Sequence, residues 1–268
     1  MNNNKLPNVF VISMFPSVSL RNEQILRNFF EILERFNLFT PTHWGHDERI
    51  RLNYDREEVI EKIIREKFSE LHLHRTSSVE YSGYFNLNVS FNSFLQMKFK
   101  SIPKNMWSQF FELSDCLAAE IHPRFGITHM FWPSVIPWQN ERQRLHRWMN
   151  FSAQTAPVNF GPVGPLGLGN RTYFGNEMIQ LFGKEVLHEA PASIIDLAWG
   201  GLRIDVVDPL WGASPDELLD SWLVAMEYFK TTELLAIPIF NINDKRTITF
   251  NPNNRWIRFI QNYTSKQN

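Results

Sequence analysis

Residues 79–99, with the sequence VEYSGYFNLNVSFNSFLQMKF, decide the fold class of this chain. From Val79 to Phe91 every odd position is apolar or glycine, whereas the even positions are mainly Glu, Ser and Asn. A period of two predicts a β-strand with one buried and one solvent-facing side. The alternation resumes over residues 95–99 after a turn at 92–93, so the stretch predicts an antiparallel hairpin whose odd positions are buried.

Amphipathic helices are predicted on both sides of this hairpin. Apolar residues recur at three- and four-residue spacing over residues 26–36, 59–68 and 107–121, which is the period of one helix face. A further helix start is marked by the sequence SPDE at 214–217, which supplies an N-cap serine, an N1 proline and a capping-box glutamate in order. Residues 177–187 also have a helical pattern.

Strands are predicted wherever short apolar runs end in turn residues, namely Val9–Phe15, Ser193–Leu197, Leu202–Val207, Leu234–Phe240, Arg246–Phe250 and Trp256–Ile260. Strands and helices mingle without regular alternation, which favours an α+β fold with a mostly antiparallel sheet. Residues 132–172 carry five prolines and predict a long, irregular, aromatic-rich connection. We therefore expect one compact α+β domain over 1–268, with 1–131 and 160–268 as candidate halves.

The charge and the cysteine content limit the partners and the cellular compartment that we expect for this chain. The 268 residues include 27 Lys and Arg and 28 Asp and Glu, so a formal net charge of −1 offers no overall attraction for nucleic acid or an anionic membrane. The single cysteine, Cys116, permits no internal disulfide and no multi-cysteine metal site. No signal-peptide pattern or membrane-length apolar run occurs, so we expect a cytoplasmic protein without a membrane partner.

No motif for catalysis or for cofactor binding has the residue spacing that its chemistry requires. The glycines between 161 and 169 are not followed by the Lys and Ser/Thr of a phosphate-binding loop. No Gly-x-Ser-x-Gly elbow is present, and Cys116 falls inside a predicted helix, away from the helix N-terminus that would activate it. We expect no catalytic residue, cofactor or metal.

Two alternative functions remain open. The cluster His43, His46 and Glu48, which His72 and His74 could join from one strand face, would suit a metal-dependent hydrolase, although His-x-x-His in a loop lacks the geometry of a helical zinc motif. Bases and rings alternate between 132 and 148, as they do in grooves for single-stranded nucleic acid; the residues are Trp132, Trp138, Arg142, Arg144, Arg147 and Trp148.

Several stretches of the chain resemble the immunity proteins that bacteria carry against type VI secretion and other polymorphic toxins. They are FTPTHWGHDER at 39–49 leading to YDREEV at 54–59, IHPRFG at 121–126, GNRTYFG at 169–175, LFG at 181–183 and GGLRID at 200–205. The resemblance implies a non-catalytic α+β protein that neutralises a cognate toxin by binding it. It carries over no catalytic residue.

Two loops supply candidate contact residues for such a toxin. Each precedes a predicted helix and pairs an aromatic ring with a carboxylate, Trp44 with Glu48 and Trp211 with Asp208. The second loop belongs to a locally acidic segment, 203–220. Aromatic anchors dominate many interfaces and charges set association rates. We therefore predict that these four residues contact the toxin and that the acids select a basic partner.

Overall fold

The structure is a computed structural model that describes residues 6–88, 91 and 93–265. Its strands are β1 (Val9–Pro16), β2 (His43–Gly45), β3 (Leu52–Asn53), β4 (Glu70–Arg75), β5 (Tyr81–Asn86), β6 (Phe94–Phe99), β7 (Pro123–Phe131), β8 (Arg171–Phe174), β9 (Ser193–Asp196), β10 (Leu202–Asp205), β11 (Ile237–Phe240) and β12 (Ile248–Asn251). Its helices are α1 (Glu23–Arg35), α2 (Arg56–Glu66), α3 (Trp107–Ile121), α4 (Glu141–Ser152), α5 (Pro157–Val163), α6 (Asn176–Phe182), α7 (Lys184–His188), α8 (Pro215–Lys230) and α9 (Asn254–Ser265). None of the helices described is long and apolar enough to span a bilayer.

Ten strands form one antiparallel sheet in the order β3-β2-β4-β5-β6-β1-β7-β8-β10-β9, and β11 pairs with β12 separately. The predicted hairpin is β5–β6, with Tyr81 opposite Phe99. The odd positions described there are buried, while Ser82 and Lys98 are exposed. Val89 lies outside the described residues. The α+β class and an antiparallel hairpin with buried odd positions are confirmed.

One face of the sheet is covered by α1, α2 and α3, and we call it the helical face. Phe29 of α1 meets Phe85 of β5 edge to face with ring centroids 5.3 Å apart. Phe110 of α3 lies 5.4 Å from Phe10 of β1 and 5.5 Å from Phe99 of β6. Because side chains alternate along a strand, Phe10 and Ile12 of β1 face this layer together with the odd positions of β5 and β6.

The opposite face of the sheet is covered over only part of its width. Phe160 of α5 stacks on Phe15 of β1 at 4.0 Å and lies 5.6 Å from Phe125 of β7. Trp222 of α8 is fully buried, and its indole N–H donates to the carbonyl of Leu168 at 2.8 Å. Over β4, β5 and β6 this face instead carries mainly polar side chains, of which Ser82 and Lys98 are exposed, Tyr84 and Gln96 half-buried and His72 buried. We call that uncovered region the open face.

Residues 132–172 are more regular than predicted, because they contain α4, α5 and β8. Asn140 caps α4 by accepting a hydrogen bond from the backbone N–H of Gln143 at 3.0 Å. Pro157 lies in the first turn of α5, where the backbone N–H that proline lacks would have no acceptor within the helix. The prediction of an irregular connection was wrong, because a proline such as Pro157 can begin a helix instead of preventing one.

Two further predictions need correction near the end of the chain. The predicted strand at 256–260 is part of α9, whose buried Trp256 and half-buried Phe259 and Tyr263 recur at helical spacing. The predicted helix at 177–187 is two short helices, α6 and α7, because Gly183 adopts a φ of +97° that interrupts the first.

A buried ion network joins β8 and β10 to α3. The guanidinium of Arg171, 3% exposed, donates to both carboxylate oxygens of Asp205 at 2.7 and 2.8 Å. It also donates to Asp115 of α3 at 2.9 Å, and Asp115 accepts further hydrogen bonds from Tyr173 at 2.7 Å and Arg203 at 2.8 Å. Asp205, which the sequence places in an acidic segment, is therefore internal and paired.

Candidate functional site

The open face forms the floor of a polar depression. Residues directly opposite one another on antiparallel strands point to the same side, so the floor consists of two rows of side chains across β4, β5 and β6. The rows are His72, Tyr84 and Gln96, and His74, Ser82 and Lys98. All six line one cavity of about 640 Å³.

The first wall of the depression is the loop at residues 47–51. This loop folds back over the end of β2, where a Cβ on Gly45 would stand 2.4 Å from the carbonyl oxygen of Ile50. The guanidinium of Arg51 donates to the carbonyl oxygen of Glu48 at 2.7 Å and holds the loop in this shape. Only glycine at position 45 leaves room for such a close approach.

The second wall is the segment at residues 153–159, which connects α4 to α5 and includes the first turn of α5. The amide of Gln96 on the floor donates to the carbonyl of Thr155 at 3.3 Å and to the hydroxyl of Ser13 at 3.0 Å. A second cavity of about 430 Å³ runs along this wall and shares Gln96 and Lys98 with the first. A third, of about 510 Å³, shares Arg51, His74, Ser82 and Lys98. We call the whole depression, bounded by 47–51 and 153–159, the trough.

Charge is unevenly distributed in the trough. Three carboxylates and one base, Arg49, line the first cavity but not the third, and we call the carboxylates the acidic end: Asp47, Glu48 and Glu70. Four basic side chains line the third cavity against the single carboxylate of Glu80, and we call them the basic end: Arg51, Arg75, Lys98 and Lys100. Lys100 pairs with Glu80. Lys98 makes no hydrogen bond or ion pair with any of the residues described.

Burial sets the protonation of two floor residues. It lowers the pKa of His74 to about 4, with a further contribution from the positive charge of Arg51, so the imidazole is neutral at pH 7. Burial also raises the pKa of Tyr84, and the nearby carboxylate of Glu70 adds to that effect. His72 lies 3.2 Å from Glu70. The floor therefore offers a neutral imidazole at His74 and a protonated phenol at Tyr84 beside the charged groups.

The hydrolase alternative is not supported by where its residues lie. His43 lies opposite His74 on the open face and contacts the hydroxyl of Thr42 at 2.9 Å. His46 instead stacks on the ring of Phe68 at 4.4 Å. Within the described ranges, no group of three or more His, Cys, Asp or Glu side chains could hold a metal ion.

The basic and aromatic residues of the nucleic-acid alternative are mostly occupied within the chain. Arg142 forms ion pairs with Asp216 at 2.9 Å and Asp220 at 2.6 Å, which tie α4 to α8. Arg144 lies over the ring of Phe240 at 4.7 Å. Trp132 and Trp138 are each only 5% exposed. This segment presents no stacking surface like that of a single-strand groove.

The four predicted contact residues do not form one surface. Trp44 is fully buried, because it is the middle residue of β2 and faces the helical layer, so it presents no surface to a partner. Glu48 is exposed on the wall of the trough. Asp208 and Trp211 follow β10, seven strand spacings from β2, or roughly 34 Å along the sheet. The ring of Trp211 lies 6.5 Å from Phe111 of α3, on the helical face.

Sequence reasoning named His72 and His74 but missed the rest of the floor of the trough. Lys98, Tyr84 and Gln96 occupy the even positions of the hairpin, so their solvent-facing side was predictable. The neighbouring walls were not, because residues 47–51 and 153–159 reach the hairpin only through the order of strands in the sheet.

Comparison with known proteins gives one distant structural neighbour to report. No protein-family model matches the sequence, and no curated protein matches it. Among solved structures, a Pseudomonas aeruginosa T6SS protein, PA0821, is similar to this chain with a TM-score of 0.49 and 12% sequence identity. The similarity covers 85% of this chain and 84% of that one. It is too distant to carry a function over to this chain.

Proposed function

We propose that this protein is an immunity protein that neutralises a cognate bacterial toxin by direct binding, with the trough as its contact surface. The observation that carries the proposal is the uncovered half of the sheet. The chain covers β1, β7 and β8 on both faces but leaves β4, β5 and β6 open between two built walls. The polar floor is accessible to a partner as it stands.

The lining of the trough suits a macromolecule better than a small substrate. Small-molecule sites are mostly apolar and enclose their ligand. The trough is instead open, and Arg, Lys, His, Asp and Glu side chains make up most of the lining of its largest cavity. Such a lining matches the polar parts of a protein interface, where charged groups select the partner and speed its association.

The resemblance to immunity proteins is consistent with this surface. The stretch at 39–49 that carries part of the resemblance supplies β2 and most of the first wall. The proposal assigns no catalytic residue, cofactor or metal to the chain. In this proposal the chain inhibits the toxin by binding to it.

A rescue experiment tests the proposal. A toxin encoded beside the gene for this chain, recognised by the growth arrest that it causes alone, is produced with and without the chain. We expect the unaltered chain to restore growth and to co-elute with the purified toxin. Lys230→Glu is a matched control, because Lys230 is 74% exposed on α8 and pairs only with Glu227. Continued growth arrest together with separate elution would contradict the proposal.

A further inference from the structure

We infer that the partner presents charges of both signs to the trough, with carboxylates against the basic end and Lys or Arg side chains against the acidic end. The inference rests on the proposed function and specifies the chemistry of the partner. The occupant is a protein segment of mixed charge.

The basic end carries positive charge that the chain does not neutralise. Lys98 is exposed on the floor and unpaired among the described residues. Among the described residues, the guanidinium of Arg51 donates to the main-chain carbonyls of Glu48 and Ile50 alone, at 2.7 and 3.3 Å. A guanidinium in this position retains donors for a bidentate carboxylate, which is its strongest type of partner.

The acidic end is likewise unbalanced. The exposed carboxylate of Glu48 makes no hydrogen bond to a residue that the structure describes, and Asp47 accepts one from the backbone N–H of Arg49 at 2.9 Å. Among the described residues, Glu70 contacts His72 at 3.2 Å and Tyr84 at 3.5 Å. No described Lys or Arg lies within ion-pair distance of these three carboxylates.

On the floor the two ends are separated along the strands, whereas at the first wall Arg51 and Glu48 lie on the same loop. Glu70 lies four residues from His74 along β4, and His74 shares its row with Lys98, so the separation along the strand is about 13 Å. This exceeds the Debye length of about 8 Å at physiological salt. A nucleic acid, which is uniformly negative, would be repelled at the acidic end, and a uniformly basic segment would be repelled at the basic end. Only a segment with both signs complements the trough.

Charge reversal at each end tests the inference by the sign of its effect. The variants Lys98→Glu and Glu48→Lys are made separately, with Lys98→Met and Glu48→Gln as neutral counterparts, and affinity for the purified toxin is measured at two salt concentrations. Both side chains are exposed, so thermal unfolding should be unchanged. We expect each reversal to weaken binding about tenfold or more, each neutral variant to weaken it less, and high salt to reduce both effects.

The alternatives give different patterns. If one reversal weakens binding and the other strengthens it, the partner carries a single sign of charge and the inference is overturned. If neither reversal changes the affinity while the unaltered chain binds the toxin, the inference is overturned and the proposed function stands. If the unaltered chain does not bind the toxin, both are overturned.

Discussion

The charged residues in the two halves of the sheet differ in burial and in pairing. Around β8 and β10, where both faces are covered, Arg171 and Asp205 are almost fully buried and hydrogen-bond to each other. Around β4 to β6, where one face is open, Lys98 and Glu48 are exposed and unpaired by anything the structure describes. Buried charge in the covered half therefore stabilises the fold, whereas Lys98 and Glu48 in the open half are available to a partner.

The largest effect is expected from breaking the buried network. Arg171→Met leaves Asp205 buried with only Arg203 beside it, at 3.2 Å, so the free energy of unfolding should fall by about 3 kcal/mol or more. Urea denaturation measures the loss. The double variant Arg171→Met with Asp205→Leu should recover part of it, because no buried charge is then left without its main partner. A loss of less than about 0.5 kcal/mol, typical of an exposed site, would contradict the structural role of this pair.

Buried histidines in the covered half should also make the free energy of unfolding depend on pH. Burial lowers the pKa of His129 to about 3 and that of His146 to about 4. Both values lie below the unfolded value of about 6.5, so the unfolded chain takes up protons first as the pH falls. The stability contribution of each neutral histidine is complete above about pH 6.5 and should fall by about 2 kcal/mol by pH 5.

The measurement is the free energy of unfolding at pH 7 and pH 5, for the unaltered chain and for His129→Gln. His129 accepts a hydrogen bond from the backbone N–H of Asn170 at 3.2 Å and contacts Asn150 at 3.3 Å, so the variant is less stable at both pH values. Its difference between the two pH values should nevertheless be smaller. Equal differences would show that His129 is not held neutral.

An intermediate effect is expected at the first wall of the trough. Gly45→Ala places a Cβ against the carbonyl oxygen of Ile50, so the loop at 47–51 must move. We expect a stability loss of about 1–2 kcal/mol, comparable to other overpacked sites, and a weaker complex with the toxin. Gly200→Ala is a useful contrast, because its positive φ of +88° strains alanine but no atom lies near its Cβ. If the Gly45→Ala variant binds the toxin with unchanged affinity, the first wall does not contribute to partner binding.

The smallest effect on toxin binding is expected at Trp211. Its ring is 40% exposed and lies on the helical face, out of reach of a partner seated in the trough. Trp211→Ala should therefore change the affinity by less than about 0.5 kcal/mol. A loss of about 2 kcal/mol or more would instead support the second contact, with Asp208, that the sequence predicts.

Local signals in the sequence were sufficient for elements with a clear period or cap. The alternation around Tyr81 and Met97 predicted the hairpin, and the capping box formed by Ser214 and Glu217 marks the start of α8. The segment at 256–260 was misread as a strand, because a short apolar run fits either period until its continuation to Tyr263 is considered.

The site was less predictable because it is assembled from distant parts of the chain. Strand alternation places Lys98 on the solvent side, but it does not say which part of the sheet a later helix leaves uncovered. Trp44 shows the same limit. Its aromatic side chain and loop-like neighbours suggested an anchor, yet the pairing of β2 with β4 turns it into the core opposite Leu73.

Backbone hydrogen exchange of this chain, free and bound to its toxin, tests most directly whether the trough is the contact surface. A bound partner should slow exchange at residues 47–51 and 153–159, the two walls, and leave the loop around Asp208 and Trp211 unchanged. Slowed exchange confined to that distant loop, with no change at either wall, would contradict the account.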